Sequence, residues 1–159
     1  MTQFIFVFAV LVMSVAASSQ PASEVTASTV PADIVALALA ASPDLTITGG
    51  DLNPGNTQFE VTGMLPNGDE VELDLMQLNG AWAVIEIQRD IPWSTVPEPA
   101  RAAAAAALDS FEPVRVIEST QVVDGSIVYE LFRATEDGRP SRGPAMEVRW
   151  YEGTAELVH

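Results

Sequence analysis

The chain contains several short runs in which apolar and polar residues alternate, the pattern expected of β-strands with one buried face. Turn residues separate these runs, as in Pro66-Asn67-Gly68 and Asn79-Gly80. The pattern predicts eight strands, at residues 45–48, 59–61, 71–75, 81–87, 114–118, 127–133, 145–151 and 155–158.

Two alanine-rich segments instead predict helices, at residues 32–41 and 100–108. A Val-Pro pair precedes each one, and proline suits the first helical turn because its missing N–H has no partner there. Asp33 and Glu98 lie where the positive end of the helix dipole favours a carboxylate. Pro43 and Pro113 follow the two segments and end them.

One helix followed by about four strands occurs twice, which indicates an internal duplication. We therefore expect an α+β fold of two tandem repeats, residues 30–93 and 96–159, each a helix packed on an antiparallel β-meander. Corresponding segments support this division: residues 71–75 match residues 146–150, and the Asn67-Gly68 turn matches Asp137-Gly138. Each repeat alone would bury little surface, so we expect the two to pack together.

The repeat resembles the PepSY group and the related tandem fold of periplasmic β-lactamase inhibitor proteins, over residues 30–159. The resemblance rests on the Val-Pro helix entries, on the alternating strand at residues 127–132 and on the final hairpin at residues 147–153. It implies an exported, non-catalytic module that inhibits or regulates an envelope or secreted hydrolase through an exposed sheet face. Such inhibitors carry disulfides, and this chain departs from them because it has no cysteine.

The N-terminus indicates export. Residues 4–17 form an uncharged run of 14 residues that ends in small side chains, as in a secretory signal peptide. We expect a signal peptide at residues 1–17, a flexible linker at 18–29 and a periplasmic or secreted protein with no stable membrane insertion after cleavage. No Lys or Arg precedes the run, so an uncleaved anchor remains the alternative.

Charge narrows the choice of partner. The chain carries 22 acidic residues against seven arginines and no lysine, a net charge of −15. Such a field repels nucleic acid and anionic lipid. One explanation of the acidic composition is that it keeps the protein soluble. The other is that it attracts a basic surface of another envelope or secreted protein.

Candidate chemistry is sparse. The only histidine is His159 and there is no cysteine, so Ser/His and Cys/His nucleophiles are unavailable and we expect no enzymatic activity, cofactor or metal. Residues 51–56 with Glu60 superficially resemble a calcium loop, but the glycine falls at the fifth position and Glu60 at the tenth. This segment is therefore predicted to be a polar hairpin turn.

Alternation selects the candidate binding residues. Glu70, Glu72 and Asp74 share one sheet face. Three roles are open for these carboxylates: a solvated surface, a cation site, or a rim that attracts a basic partner. If residues 83, 85 and 87 face the helix of the first repeat, Trp82 faces away from that helix. In the second repeat, alternation likewise places Phe132 and Tyr151 on the face away from the helix.

These three aromatic residues are the predicted anchors of a protein-binding surface. Burial between the repeats is the alternative for the aromatics, and a one-residue bulge would reverse a strand's faces. A rival function is that of an accessory domain binding a small ligand or cation between the repeats.

Overall fold

The computed structural model describes residues 30–158. The predicted signal peptide (1–17), the predicted linker (18–29) and His159 lie outside the described residues. Within residues 30–158, neither helix has the length and apolar character needed to cross a membrane.

Two short helices form where the Val-Pro pairs predict them. The first, α1 (Ala32–Ala41), begins directly after Pro31, and the second, α2 (Glu98–Ala106), begins directly after Pro97. Each proline accepts a first-turn hydrogen bond through its carbonyl, from the Val35 N–H at 2.9 Å in α1 and from the Arg101 N–H at 3.1 Å in α2. A short 3₁₀ turn at Trp93–Thr95 precedes α2.

Eight strands form one antiparallel sheet, in which every strand pairs with its neighbours along the chain. They are β1 (Thr46–Leu52), β2 (Gln58–Met64), β3 (Glu70–Leu78), β4 (Ala81–Asp90), β5 (Arg115–Gln121), β6 (Ile127–Phe132), β7 (Met146–Tyr151) and β8 (Thr154–Val158).

The prediction of an α+β fold built from two helix-and-meander repeats is wrong. The protein is mainly β, with one continuous eight-stranded sheet and only two short helices. The sheet does not stop after β4, because residues 86–90 pair with residues 117–121 of β5. An unpaired strand edge exposes a row of N–H and C=O groups, and this central pairing of β4 with β5 satisfies them.

Both helices pack on the same face of the sheet, which we call the inner face. In α1, Ile34 and Ala38 lie one turn apart in the first buried cluster, and in α2, Ala100 and Ala104 do the same in the second. Small alanine side chains let α2 lie close to the strands. The fully buried strand residues beneath the helices are Val61, Leu73 and Leu75 in the first cluster and Tyr129, Leu131 and Val148 in the second.

Charged residues pair across the central pairing. The Arg115 guanidinium donates two hydrogen bonds to Asp90, at 2.8 and 2.9 Å. Arg89 forms an ion pair with Glu118 at 2.6 Å. Exposed pairs of this kind contribute at most about 1 kcal/mol each, so their main consequence is to favour this register of β4 and β5.

Candidate functional site

The face of the sheet opposite the helices, the outer face, carries rows of carboxylates. Glu60, Asp74 and Glu86 lie directly opposite one another across β2, β3 and β4. Glu130 and Glu147 lie opposite each other on β6 and β7. Side chains at such positions are about 5 Å apart at Cβ, where like charges repel.

Three of these residues, Glu60, Asp74 and Glu130, line a cleft of about 500 Å³ on the outer face. Strands β1 to β6 line it, together with the loop residues 53–54 and 142–144. We call it the acidic cleft because its lining includes the carboxylates of Asp51, Glu60, Glu72, Asp74 and Glu130. The cleft depends on the central pairing of β4 with β5, since residues from both sides of that pairing line it.

Burial changes the protonation of the cleft carboxylates. Desolvation, followed by repulsion from Glu60, Asp74 and Glu86, raises the pKa of Glu72 to about 7. Desolvation and then repulsion from Glu86 raise the pKa of Asp74 to about 6, although a hydrogen bond from Gln58 opposes the shift. These carboxyl groups therefore exchange protons close to neutral pH, well above the usual range of such groups.

Glu130 is the cleft carboxylate that comes from the second half of the chain. Its side chain is only 8% exposed and lines the cleft from β6. Desolvation, followed by repulsion from Glu86 and Glu147, raises its pKa to about 7. The positive charge of Arg115 lowers the pKa of Glu130 and so opposes part of this shift.

Glu86 has a different environment. It is also 8% exposed, but its carboxylate accepts hydrogen bonds from the Ser119 hydroxyl and, at 2.8 Å, from the Gln121 amide. These bonds cross the central pairing from β4 to β5. Glu86 lies outside the cleft lining, and repulsion from it raises the pKa of Asp74 and of Glu130.

Basic side chains only partly offset this charge. Arg115 lines the cleft, but its guanidinium is already held by Asp90, and this hydrogen bonding raises its pKa. Arg142 lines the cleft from the loop before β7. Five lining carboxylates therefore face two lining guanidinium groups.

The prediction that Trp82 faces away from the helices is wrong. Trp82 and Val84 both pack against the first buried cluster, and the Trp82 ring meets Phe59 edge-on with centroids 6.3 Å apart. The cause is a β-bulge, because Ile85 has no partner between the pairs Asp74–Glu86 and Leu75–Val84. The extra residue reverses the faces of the first half of β4.

The other two predicted anchors lie on the outer face but in different environments. Phe132 lines the acidic cleft and is only 4% exposed, with the Arg115 guanidinium 5.2 Å from its ring centroid. Tyr151 is 41% exposed and lies beside Arg149, outside the cleft lining. The three aromatics therefore do not form one contact surface.

The predicted carboxylates stay together on one face, as alternation requires. Glu72 and Asp74 line the acidic cleft, whereas Glu70 is exposed and lines a smaller depression beside it. Sequence reasoning missed Glu60 and Glu130 as members of the same site. Their outward positions follow from alternation, but their proximity depends on strand pairing.

The predicted polar turn between β1 and β2 is confirmed. The Asn53 side-chain oxygen accepts hydrogen bonds from the Thr57 and Gln58 N–H groups, at 2.9 and 3.1 Å, and so closes the hairpin. Asp51 and Glu60, which suggested a calcium loop, meet instead as a cross-strand pair that lines the cleft.

The arrangement is suited to binding a cation. Glu60, Glu72 and Asp74 each present a carboxylate oxygen, and these three atoms lie within 4.8 Å of one another. A lysine ammonium, an arginine guanidinium or a metal ion would each reduce the repulsion among these groups and offset the cost of their desolvation.

Comparison with known proteins gives no match, whether with protein-family models, with curated proteins or with solved structures. The resemblance to the PepSY group accordingly stays a prediction.

Proposed function

We propose that this protein is a non-catalytic binding protein that takes a positively charged segment of another exported protein into the acidic cleft. The observation that carries the proposal is the imbalance of charge in the cleft, where five carboxylates face two guanidinium groups and Asp90 already holds one of these. A lysine or arginine side chain from a partner would supply the missing positive charge.

Burial makes such an interaction favourable. Asp74 and Glu130 are almost inaccessible to solvent, so a cation placed beside them interacts through a lower dielectric than at an open surface. The net charge of −15 would also attract a basic partner over a distance and accelerate association.

The acidic cleft replaces the aromatic surface as the proposed contact. Of the predicted anchors, Phe132 alone lines the cleft, where its ring can contact the aliphatic part of a bound lysine or arginine side chain. Trp82 belongs to the core and Tyr151 lies outside the cleft lining. Inhibition of a hydrolase, which the PepSY resemblance implies, stays a prediction.

A second candidate function is the binding of a small cationic ligand without a protein partner. One observation favours it: the cleft is lined by strands from both sides of the central pairing, as expected of a ligand site between the two halves of the chain. Both functions depend on the same carboxylates.

Calorimetric titration with a hexalysine peptide at pH 8 tests the main proposal. We expect saturable binding to the protein, and a Glu72→Gln/Glu130→Gln double variant should bind about tenfold more weakly or worse, a loss of about 1.4 kcal/mol. The loss is expected because each lysine then meets a neutral amide in place of a buried carboxylate.

The matched control is a Glu112→Gln/Glu136→Gln variant, which has the same net charge but loses exposed carboxylates outside the cleft lining. We expect it to bind within about twofold of the unmodified protein. Equal weakening in both double variants would show attraction by bulk charge alone, and that result or a lack of saturable binding would contradict the proposal.

A further inference from the structure

We infer that Asn79 is a site of spontaneous deamidation, where an asparagine converts into a mixture of aspartate and isoaspartate. Asn79 is exposed, and with Gly80 it forms the tip of the hairpin between β3 and β4. A second asparagine–glycine pair, Asn67-Gly68, lies in the turn between β2 and β3. The inference is independent of the acidic cleft and of the proposed function.

The reaction joins the asparagine side chain to the next backbone nitrogen. The Gly80 nitrogen attacks the side-chain carbonyl carbon (Cγ) of Asn79, and a C–N bond forms. The side-chain amide leaves as ammonia and takes the proton that the Gly80 nitrogen gives up. Water then opens the resulting cyclic imide at either of its two carbonyl carbons. One opening gives aspartate, and the other gives isoaspartate, in which the backbone runs through the former side chain.

Both reacting groups are free at the β3–β4 tip. Among the described residues, the Gly80 N–H donates no hydrogen bond and the Asn79 side-chain amide has no hydrogen-bond partner. Glycine has no Cβ that would obstruct the approach of its nitrogen to the side chain. The surroundings of Gly80 are open as well, because an added Cβ would meet nothing within 4 Å.

Asn67 is restrained at both reacting groups. The Gly68 N–H donates a hydrogen bond to the Leu65 carbonyl at 2.9 Å. The Asn67 side-chain amide donates to the Asp69 carboxylate at 2.8 Å, and its oxygen accepts a hydrogen bond from the Asp69 N–H at 3.1 Å. Breaking these bonds to bring the Gly68 nitrogen to the side chain costs free energy. The fold therefore protects Asn67 and leaves Asn79 open to attack.

The aspartate–glycine pairs, which can form the same imide with loss of water, are also restrained. The Gly125 N–H donates to the Gln121 carbonyl at 2.8 Å, and the Gly138 N–H donates to the Thr135 carbonyl at 2.9 Å. Of the asparagine–glycine and aspartate–glycine pairs within residues 30–158, the pair at Gly80 alone has a glycine N–H without a hydrogen bond.

Conversion changes the hairpin. Leu78 pairs with Ala81, so Asn79 and Gly80 alone make the turn, with φ angles of 53° and 82°. Aspartate adopts such a positive φ about as readily as asparagine does. Isoaspartate adds a carbon to the backbone and so does not fit a two-residue turn. Both products also add a negative charge to a chain of net charge −15.

Peptide mapping by mass spectrometry tests the inference on the folded full chain, incubated at pH 8 below its unfolding temperature. Cleavage after glutamate separates the two sites, because residues 61–70 contain Asn67 and residues 73–86 contain Asn79. We expect aspartate and isoaspartate to accumulate at Asn79 at least about fivefold faster than at Asn67, because the hydrogen bonds that restrain Asn67 are absent at Asn79.

Two controls accompany this measurement. In guanidinium chloride, the two sites should convert at rates within about twofold of each other, because the unfolded chain lacks the protecting hydrogen bonds. An Asn79→Gln variant should lose the conversion in residues 73–86, which also contain the amide of Gln77.

Three results would overturn the inference. The first is equal conversion at Asn67 and Asn79 in the folded chain. The second is no conversion at Asn79 over a period in which the unfolded chain converts. The third is unchanged conversion of residues 73–86 in the Asn79→Gln variant, which would assign the reaction to Gln77.

Discussion

Lowering the pH from 8 to 5 is expected to stabilise the fold, by on the order of 2 to 4 kcal/mol in the free energy of unfolding. Glu72 and Glu130 have folded-state pKa values of about 7, above the ordinary value of 4.5 that applies to the unfolded chain. A carboxyl with a raised pKa contributes stability that is complete below its unfolded pKa and is lost as the pH rises through its folded pKa. The stability should therefore fall between about pH 4.5 and pH 7.

Urea unfolding at several pH values, followed by tryptophan fluorescence, measures this dependence. The Glu72→Gln/Glu130→Gln variant should be more stable than the unmodified protein at pH 8 and should show a flatter pH profile, because the amides mimic the protonated carboxyl groups. Stability that is constant or lower at pH 5 than at pH 8 would show that the cleft carboxylates titrate normally.

Carboxylates with lowered pKa values act in the opposite direction at more acid pH. Hydrogen bonds from Ser126 lower the pKa of Asp124 below its ordinary value of 3.8. Its contribution to stability is present above pH 3.8 and is lost as the pH falls through the lowered pKa. Maximal stability is thus expected at a mildly acidic pH, between the two effects.

Replacing a buried leucine by alanine in either half of the inner face is expected to destabilise the whole sheet. Leu73 and Leu131 are at most 1% exposed and belong to the first and second buried clusters. Leu73→Ala and Leu131→Ala should each cost about 2 to 5 kcal/mol, through lost burial and the cavity left behind. Because β4 pairs with β5, each substitution should shift one common unfolding transition.

Circular dichroism and tryptophan fluorescence during urea unfolding provide the comparison. Trp82 packs on the first cluster, whereas Trp93 and Trp150 pack on the second, so fluorescence reports on both. Val123→Ala is the control, since Val123 is 82% exposed and its loss should cost less than about 0.5 kcal/mol. Two transitions, only one of which moves with each substitution, would indicate two independently folding halves.

Local features of the fold could be predicted from the sequence because their causes are local. The prolines before α1 and α2 mark the helix starts, and turn glycines such as Gly68 and Gly80 separate the strands. Both glycines have positive φ angles, of 91° and 82°, which other residues adopt at a cost. Each predicted strand overlaps one of the eight strands.

Long-range pairing could not be predicted in the same way. Alternation shows which face of a strand is buried, but it does not show that β4 pairs with β5. It therefore predicts two packed repeats with a sheet each, where the structure has one continuous sheet. The bulge at Ile85 has no clear signal in the sequence. Because of this bulge, Trp82 lies on the inner face and not on the outer face that alternation predicts.

The candidate site was predictable only in part for the same reason. Alternation places Glu72, Asp74, Glu86 and Glu130 on outward positions, and the first two were identified as candidates. Bringing Glu130 close to Asp74 and Glu86 requires the central pairing, because Glu130 comes from the second half of the chain. The raised pKa values depend on that proximity and on burial, which local patterns do not report.

The central claim is that one sheet gathers carboxylates from both halves of the chain into a buried acidic cleft. A pH titration of the side-chain carboxyl ¹³C resonances by NMR tests it most directly. The structure predicts titration midpoints of about 7 for Glu72 and Glu130 and about 6 for Asp74. Midpoints between 4 and 5 for all three groups would contradict the account, because they would place these carboxylates in open solvent and apart from one another.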